Sequence, residues 1–339
     1  MTKATLRDVA RLAEVHYTTV SRALNPDTAH LVNGRTLRRV LAAAEEIGYR
    51  PNVIARSLRT RRTSMIGVLV SDISSSIVGG ITLGIEDVLV PAGFLTLVLN
   101  ASEVDDDASR VEALMSRGVD GLIVSAARTN SSIYQDIATS GVPVVLANRR
   151  LADGSLSSVT SDDAAGVSAA VDHLVHLGHS RIVHLRGPRD TSTARSRETG
   201  FREAMHRHGI EATASLSEPV HSYTSEEGRR VMLSVLDGPF PPTAVVAAND
   251  SVAVGCYDAL RERGLRCPED VSVVGFNNIP LVDKLSPPLT TVSVPHRQIG
   301  QESARILLEQ LENPVTGPKS VLLPVSLVVR QSTAAPAES

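Results

Sequence analysis

The chain has 339 residues, of which 42% are hydrophobic and 21% charged, enough for two or three domains with packed cores. Its two cysteines, Cys256 and Cys267, are too few for a disulfide framework, which favours a reducing compartment. The first residues lack the apolar core of a signal peptide, and no apolar run approaches the roughly 18 residues of a membrane span. The sequence therefore predicts a cytoplasmic protein.

Charge is unevenly distributed along the chain. Residues 1–64 carry 12 Lys and Arg against 5 Asp and Glu, whereas the remaining residues carry 22 against 32. A basic N-terminal part before an acidic body indicates that only the N-terminal part meets a polyanion such as DNA.

Two short helices joined by a tight corner are predicted over residues 5–25. The first covers residues 6–13, with Thr5 placed to N-cap it and Asp8 in its first turn, where negative charge is favoured. The second covers residues 17–24. Apolar residues on both helices fit two faces that pack over a small core.

The outward face of the second helix suits a DNA major groove. It consists of short hydrogen-bonding groups that end in a guanidinium, namely His16, Tyr17, Thr18, Thr19, Ser21 and Arg22. Hydroxyls reach phosphates, and an arginine pairs bidentately with guanine. The pattern predicts a helix-turn-helix. The alternative is an ordinary helical hairpin with a polar outer face.

After the second helix a loop is expected, and a third helix begins near Asn33 and stops at Gly48, which completes a headpiece over residues 1–50. The next segment, residues 51–64, is too polar to fold alone. It is either a solvated linker or a segment that becomes helical on DNA. In the second case its arginines contact phosphates and Leu58 forms an apolar wedge in the minor groove.

From residue 65 onward, short Val/Ile/Leu runs alternate with helical segments, which is typical of parallel α/β sheets. The first half extends to about residue 160, and the second begins with a helix over residues 163–177. Two doubly wound sheets that face each other form a cleft at the C-terminal strand ends, where such sheets bind ligands. The tail after Arg330 is polar and is predicted to be frayed.

Polar groups at the predicted strand ends are candidates for a ligand site in this cleft. They are Asp72, Asn148, Arg149, Asp162, Arg195, Arg197, Asn249, Asp250 and Asn277. Carboxylates, amides and guanidinium groups together suit a small polyhydroxylated ligand, or one with an acidic group. For each residue taken singly, a surface or capping role is the alternative.

Patterns that would indicate catalysis or a cofactor are missing from the sequence. The glycines at positions 79, 80 and 84 do not have the spacing of a nucleotide-binding loop. The histidines at positions 173, 176, 179 and 184 straddle a helix end and a strand with no cysteine nearby, which disfavours a metal site. We therefore expect no cofactor, no metal and no enzymatic activity.

The motifs, taken together, resemble the LacI/GalR family of bacterial transcription regulators, over nearly the whole chain to about residue 333. The markers are TLRDVARLAEV, TVSRALN, IGYRPNVIARSLRT, IGVLVSDIS, DHLVHLGHSRIVHLRGP, STARSRETGF, AANDSVAVG, VSVVGFNNIP and LTTV. The resemblance implies a DNA-binding head, a hinge helix over residues 51–64, and a core like a periplasmic sugar-binding protein. It also implies a homodimer on a near-palindromic operator.

The resemblance also implies how the core is divided and which residues act. The N-lobe covers about 65–160 with a return near 290–320, the C-lobe about 161–289 with the C-terminal strand, and residues 334–339 form a disordered tail.

The residues expected to face bases are Tyr17, Thr18 and Arg22, with His16 just ahead. Those expected to position the DNA backbone are Thr5, Thr19, Ser21, Asn25, Asn33 and Thr36, and Leu6 is also expected to be a DNA-binding residue. Those matching the hinge are Asn52, Ala55 and Leu58. In the cleft, Arg197 and Asn249 match the main ligand contacts.

Four departures from the family pattern bear on specificity. Glu14 stands where the family usually has Gly at the turn, at a cost of roughly 1 kcal/mol if its φ is positive, and His16 replaces the usual Ser cap. Ile77 lies where an aromatic often stacks on a sugar ring, and the usual Asp-Asp after GF is Asn277-Asn278. We therefore expect an operator of its own. The effector class stays open between a sugar and a phosphorylated or carboxylated metabolite. Arg149, Arg195 and Arg197 would be the partners of the anionic group.

The leading hypothesis is a sequence-specific repressor whose operator affinity is controlled by an effector bound between the lobes. One alternative is a solute-binding protein that does not bind DNA, which would carry a signal peptide and no DNA-binding head. An enzyme on a two-lobed scaffold would carry a catalytic set.

We expect Arg22→Ala to relax base preference, at a cost of about 1–3 kcal/mol on the best site, because Arg22 faces bases. Arg59→Ala should weaken binding to all duplexes alike and reduce the salt slope by about 1, because Arg59 contacts a phosphate. Binding titrations on specific and random duplexes at several salt concentrations measure both effects. Equal effects of both variants on every duplex would contradict these roles.

Overall fold

The computed structural model describes residues 4–50, 62–101, 107–211, 217–239, 241–314 and 317–337. The chain divides into two compact units, Met1–Thr63 and Ser64–Ser339. Within the ranges just given, no helix combines the length and the apolar character needed to span a bilayer.

The N-terminal unit consists of short helices, as predicted, with one addition. The helices are α1 (Leu6–Leu12), α2 (Tyr17–Ala23), α3 (Pro26–Ala29) and α4 (Gly34–Glu46). The segment after α2 was expected to be a loop, but it begins with the four-residue helix α3, where Pro at the first turn has the backbone φ that a helix needs.

Local capping explains where the head helices begin. Thr5 and Asp8 form a capping box, in which the Asp8 backbone N–H donates to Thr5 Oγ1 and the Thr5 N–H donates to Asp8 Oδ2 at 3.0 Å. The predicted N-cap of Thr5 is therefore confirmed. Asn33 caps α4 by accepting from the Arg35 N–H at 2.9 Å. The helices pack over a small core that includes Val9, Val20 and Ala44.

The C-terminal unit contains two sheets whose strands lie mostly parallel, which confirms the predicted two-lobed α/β core. In chain order the strands are β1 (Met65–Val70), β2 (Leu95–Asn100), β3 (Gly121–Val124), β4 (Val144–Ala147), β5 (Ser157–Ser161), β6 (Ile182–Leu185), β7 (Ala244–Ala247), β8 (Ser272–Asn277), β9 (Thr290–Ser293), β10 (Ser320–Leu323) and β11 (Ser326–Val328). The first sheet has the order β10-β5-β4-β3-β1-β2, and the second has the order β11-β9-β8-β7-β6.

Helices cover both sheets and connect their strands. They are α5 (Ser76–Leu89), α6 (Asp107–Met115), α7 (Ile133–Thr139), α8 (Asp163–His176), α9 (Ser192–Arg207), α10 (Ser225–Leu236), α11 (Asp250–Glu262) and α12 (His296–Glu312). The chain crosses between the lobes more than once, because α12 follows the C-lobe strand β9 and leads to β10, which pairs with β5 of the first sheet. The last strand, β11, returns to the second sheet and pairs antiparallel with β9.

The packing of α5 against α12 depends on glycines that let the two backbones meet. A Cβ on Gly84 would lie 1.9 Å from the Arg297 carbonyl oxygen, and one on Gly300 would lie 2.0 Å from the Ile81 oxygen. Gly79, one turn earlier on α5, has no neighbouring atom within 4 Å of its would-be Cβ. Gly79, Gly80 and Gly84, whose spacing does not fit a nucleotide-binding loop, therefore belong to helix α5. Gly84 allows that helix to pack closely against α12.

The segment after Arg330 differs from the frayed tail expected from its polar sequence. Ser332 is fully buried, and its Oγ donates to the Val273 carbonyl at 2.6 Å. The Ala334 N–H donates to Ser272 Oγ at 3.1 Å, and its carbonyl lies 2.8 Å from His179 Nε2. The polar segment therefore packs against the N-terminal ends of β8 and β9.

We expect Gly84→Ala to lower the free energy of unfolding by about 3 kcal/mol, because the new methyl group forces the α5 and α12 backbones apart. Gly79→Ala, on the same helix, should raise it by about 0.5–1 kcal/mol, because alanine restricts the unfolded chain and meets no neighbour. Urea unfolding of the two variants measures both values. A loss of stability in Gly79→Ala as large as that in Gly84→Ala would contradict the packing described.

Candidate DNA-recognition face and effector cleft

One face of α2 is exposed and carries the side chains predicted to read DNA. Tyr17 is 50% exposed, and Thr18 and Arg22 are also exposed, one helical turn apart on the same face. On the opposite face, Val20 and Ala23 are buried in the core of the head. The helix therefore presents one hydroxyl-, phenol- and guanidinium-bearing surface, and its apolar residues hold that surface in place.

The turn before α2 carries the backbone strain that the sequence suggested. Glu14 has φ of +49°, the left-handed region that glycine adopts without cost. The turn is closed by the Val15 N–H, which donates to the Ala10 carbonyl at 3.0 Å, and Arg39 donates to the Glu14 carbonyl at 3.3 Å. These bonds hold a residue that would otherwise avoid this conformation.

His16 occupies the N-cap of α2 but does not cap it with its side chain. Its Nδ1 lies 2.8 Å from Thr18 Oγ1, and its ring centroid lies 4.3 Å from that of Tyr17. The imidazole therefore orders two side chains of the recognition face and is itself exposed on that face.

The other predicted DNA-binding residues have mixed surroundings. Thr5 and Asn33 cap helices, and Leu6 packs against the small core. Thr19, Ser21 and Thr36 are half-buried. The buried Oδ1 of Asn25 has no hydrogen-bond partner among the described residues. The hinge candidates Asn52, Ala55 and Leu58 lie outside the described residues.

In the core unit, Arg197 is bound on all sides by protein groups. It is 4% exposed, its Nη2 and Nε donate to Asp163 Oδ1 at 3.1 and 3.3 Å, and its Nη1 donates to the Ala248 carbonyl at 2.5 Å. The guanidinium carbon also lies 3.8 Å from the centroid of the Phe276 ring. Burial raises the pKa of the Asp163 carboxyl, and the Arg197 charge opposes this rise. Arg197 thus ties the ends of several elements together.

Three of the predicted effector residues accept a backbone N–H through a side-chain oxygen, and two of them, Asp162 and Asn249, cap helices. Asp72 accepts from the Ser74 N–H and hydroxyl at 2.9 and 2.7 Å. Asp162 accepts from the Ala165 N–H at 3.1 Å at the start of α8, and Asn249 accepts from the Val252 N–H at 2.8 Å at the start of α11. Asp162 and Asn249 therefore fit the capping alternative, whereas Asp72 closes the turn before α5 through its Oδ1.

Asp250 is fully buried and holds the loop after β8 in place. Its Oδ2 accepts from the Ile279 N–H at 2.8 Å, and its Oδ1 accepts from the Thr291 hydroxyl at 2.5 Å. Burial raises the pKa of the Asp250 carboxyl to about 6. The loop it holds has Asn277 and Asn278 at φ of +108° and +54°. Asp250 is therefore a positioning residue for the neighbouring Asn277.

The remaining two predicted arginines differ in exposure. Arg195 is exposed, and its Nε donates to the Arg189 carbonyl at 3.2 Å. Arg149 follows β4 and is half-buried, and its Nη1 donates to the Ala126 carbonyl at 3.2 Å. Burial lowers the pKa of the Arg149 guanidinium.

A cavity of about 530 Å³ opens in the core unit between the start of α5, the loop after β8 and the start of α12. Its lining consists of Ser76, Ile77, Gly80, Asn278, Ile279, Pro280, Val294, Pro295, His296, Arg297, Gln298 and Gln301. None of the nine polar residues predicted for the effector cleft is in this lining. Ile77 and Asn278 of the lining are two of the departures from the family pattern, whereas residues 294–301, which follow the LTTV motif after Ser293, were not predicted.

His296 is the most informative residue of the cavity lining. Its Nε2 is buried without a hydrogen-bond partner in the described structure, and burial lowers the pKa of its imidazole to about 4. A neutral imidazole whose nitrogen has no partner suits a ligand hydroxyl or amide. Elsewhere in the described ranges, no group of three His, Cys, Asp or Glu is arranged to hold a metal ion.

Comparison with known proteins places both units. Residues 5–52 match the model of bacterial regulatory proteins of the lacI family, and residues 171–333 match that of the periplasmic binding protein-like domain. The HTH-type transcriptional repressor CytR of Escherichia coli K12 is 33% identical over 340 residues, covering 98% of this chain and 97% of that protein. A Lac repressor dimer bound to operator and the anti-inducer ONPF is 31% identical with a TM-score of 0.87, covering 98% and 100% of the two chains. A LacI family regulator of Enterococcus faecium with bound ribose is 32% identical with a TM-score of 0.72, covering 80% and 99%.

We expect the stability of the protein to fall by about 3 kcal/mol between pH 4 and pH 6 through Asp250 alone. In that range the folded state keeps the Asp250 proton while the unfolded state has lost it, because the folded pKa is about 6 and the ordinary value is 3.8. Asp250→Asn removes this titration, so its unfolding free energy should lack that fall. Urea unfolding at several pH values, with the exposed Asp72→Asn as control, measures the difference. The same pH dependence in wild type and Asp250→Asn would contradict the assignment.

Proposed function

Because this chain belongs to the lacI family of bacterial regulatory proteins, we propose that it is a sequence-specific DNA-binding transcription repressor whose operator affinity is controlled by a small-molecule effector. The observation that carries the proposal is the exposed face of α2, where Tyr17, Thr18 and Arg22 stand together on a helix fixed by its buried side. The excess of basic residues in the head supports this proposal, since it favours a polyanionic partner.

The proposed DNA site is a near-palindrome bound by a homodimer, with one head in each half-site. A two-fold symmetric dimer places two recognition helices in successive major grooves, which matches an operator of the same symmetry. The similar Lac repressor structure is a dimer on operator DNA. Tyr17, Thr18 and Arg22 are assigned to bases, with His16 beside them.

The proposed effector is a sugar or related metabolite bound between the two lobes of the core. The cavity beside His296 combines apolar walls with a few polar groups, which is typical of a small-ligand site. The similar regulator from Enterococcus faecium holds ribose. If effector binding changes the affinity of the protein for the operator by some factor, thermodynamic linkage requires that operator binding changes the affinity for the effector by the same factor.

We assign the repressor to the cytoplasm and give it no enzymatic role. The similar full-length relative is a transcriptional repressor. Several polar groups at the strand ends are engaged in caps and ion pairs, as Asp162, Asn249 and Arg197 show. This arrangement supports ligand binding and lobe structure rather than acid–base chemistry.

The proposal is tested by fluorescence anisotropy of the full-length protein with the DNA upstream of its own gene. We expect one duplex to bind about 10³-fold or more tighter than random DNA at physiological salt, with two chains per duplex. Addition of an effector should shift that affinity by about 5–150-fold.

Tyr17→Ala provides the matched variant for this experiment, because Tyr17 is half exposed and its loss spares the buried side of α2. It should reduce operator affinity while the melting temperature stays unchanged. The proposal fails if the wild-type protein binds no duplex better than random DNA.

A further inference from the structure

The turn between α1 and α2 has the hydrogen bonds of a Schellman motif, a helix ending that commonly contains glycine. The Val15 N–H donates to the Ala10 carbonyl at 3.0 Å, and the Glu14 N–H donates to the Arg11 carbonyl at 3.3 Å. Position 14 is the one that adopts the left-handed conformation in this motif, and Glu14 has φ of +49°. Because a Cβ makes that conformation unfavourable, this turn is weaker than the same turn with glycine.

The start of α2 also lacks a capping side chain. His16 occupies the N-cap, but its Nδ1 lies 2.8 Å from Thr18 Oγ1 and its side chain caps no backbone N–H. By contrast, Thr5 caps α1 and Asn33 caps α4 through side-chain oxygens. The recognition helix therefore begins without a glycine in the turn before it and without a side-chain cap.

The side chain of Arg39, on α4, reaches this turn. Its Nη2 donates to the Glu14 carbonyl at 3.3 Å, between residues that lie 25 positions apart in sequence. The next residue, Val40, is fully buried in the core of the head, so the backbone of α4 is fixed at this point. The Glu14 carbonyl lies beyond the end of α1, where a donor from another helix can bind it. The bond therefore joins α4 to the chain just before α2.

The placement of the base-reading side chains depends on this turn. Tyr17 and Thr18 lie three and four residues after Glu14, in the first turn of α2, and Arg22 lies one turn further along. A change in the backbone at residue 14 would rotate this seven-residue helix against α1 and move all three side chains together.

We propose that Arg39 is a positioning residue for DNA recognition, which fixes the turn at Glu14 and thereby the orientation of α2. This inference rests on the proposed function, because it concerns how the head reads an operator. It differs from a phosphate contact, which an exposed arginine of a DNA-binding head often makes, because the guanidinium acts through the Glu14 carbonyl and not on the DNA.

The first test is made without DNA, by hydrogen exchange of the full-length protein. Arg39→Met keeps a long unbranched side chain and removes the donors, so the Val15 amide that closes the turn should exchange about 2–10-fold faster than in the wild type. Arg38→Met removes an exposed arginine one position earlier on α4 and should leave that rate unchanged. Exchange of Val15 at the same rate in Arg39→Met as in the wild type would overturn the proposal.

The second test compares affinity for the best operator duplex with affinity for random DNA. Loss of one positive charge weakens binding to every duplex, so Arg38→Met and Arg39→Met should lose random-DNA affinity alike. Arg39→Met should also lower the ratio of operator to random affinity by about 2–10-fold, because a misplaced α2 loses base contacts. Arg39→Lys keeps the charge and a donor, so it should retain part of the ratio.

Glycine at position 14 provides the rescue for this experiment. Glu14→Gly adopts the left-handed turn without strain, so Arg39→Met in that background should keep its operator-to-random ratio within about twofold of Glu14→Gly alone. An arginine that contacts phosphate shows no such dependence on residue 14. The proposal is wrong if Arg39→Met lowers the ratio by the same factor with Glu14 and with glycine at this position.

The two levels of inference fail in different ways. A wild-type protein that binds no duplex better than random DNA refutes the repressor assignment, and exchange of the Val15 amide then still decides whether Arg39 holds the turn. A wild-type protein that binds its operator, with equal operator-to-random ratios in Arg38→Met and Arg39→Met, refutes the positioning role alone.

Discussion

The buried ion pair between Arg197 and Asp163 fixes the cleft end of the second lobe. It joins α9 to the start of α8, and through the Ala248 carbonyl and the Phe276 ring it also holds the chain after β7 and the strand β8. Removing one partner of such a pair costs about 3–5 kcal/mol, because the other charge is left buried and unpaired. Asn249 and Asn277, which end or follow these strands, therefore project from a fixed frame.

The two lobes are coupled because neither is built from one continuous segment. The chain leaves the second sheet after β9, forms α12 against the first lobe, adds β10 to the first sheet and returns with β11. At the contact of α5 with α12, glycine at positions 84 and 300 brings the two backbones together. The cavity beside His296 lies where α12 begins, so an occupant of it contacts both the crossover and the loop after β8. A ligand placed there is able to bias the arrangement of the lobes.

Much of the architecture was predictable from local patterns. Thr5 and Asp8 marked the start of α1, apolar runs marked the strands of both sheets, and family motifs marked the order of the domains, which the match to lacI-family proteins confirms. The short helix α3 and the packed segment around Ser332 were not predicted. A four-residue helix has too few residues for a periodic pattern, and the polar tail is held by backbone partners far away in sequence, such as Val273.

The sequence by itself determined the helix-turn-helix head, the two-lobed α/β core and the polar residue types at the cleft, because these depend on periodicity, capping and spacing along the chain. Only the tertiary structure decided which of those polar groups are engaged by the protein. Asp162 and Asn249 cap helices, Arg197 pairs with Asp163, and Arg149 donates to the Ala126 carbonyl. The same residue types serve caps, ion pairs and ligand contacts, so the distinction depends on distances between segments that are remote in sequence.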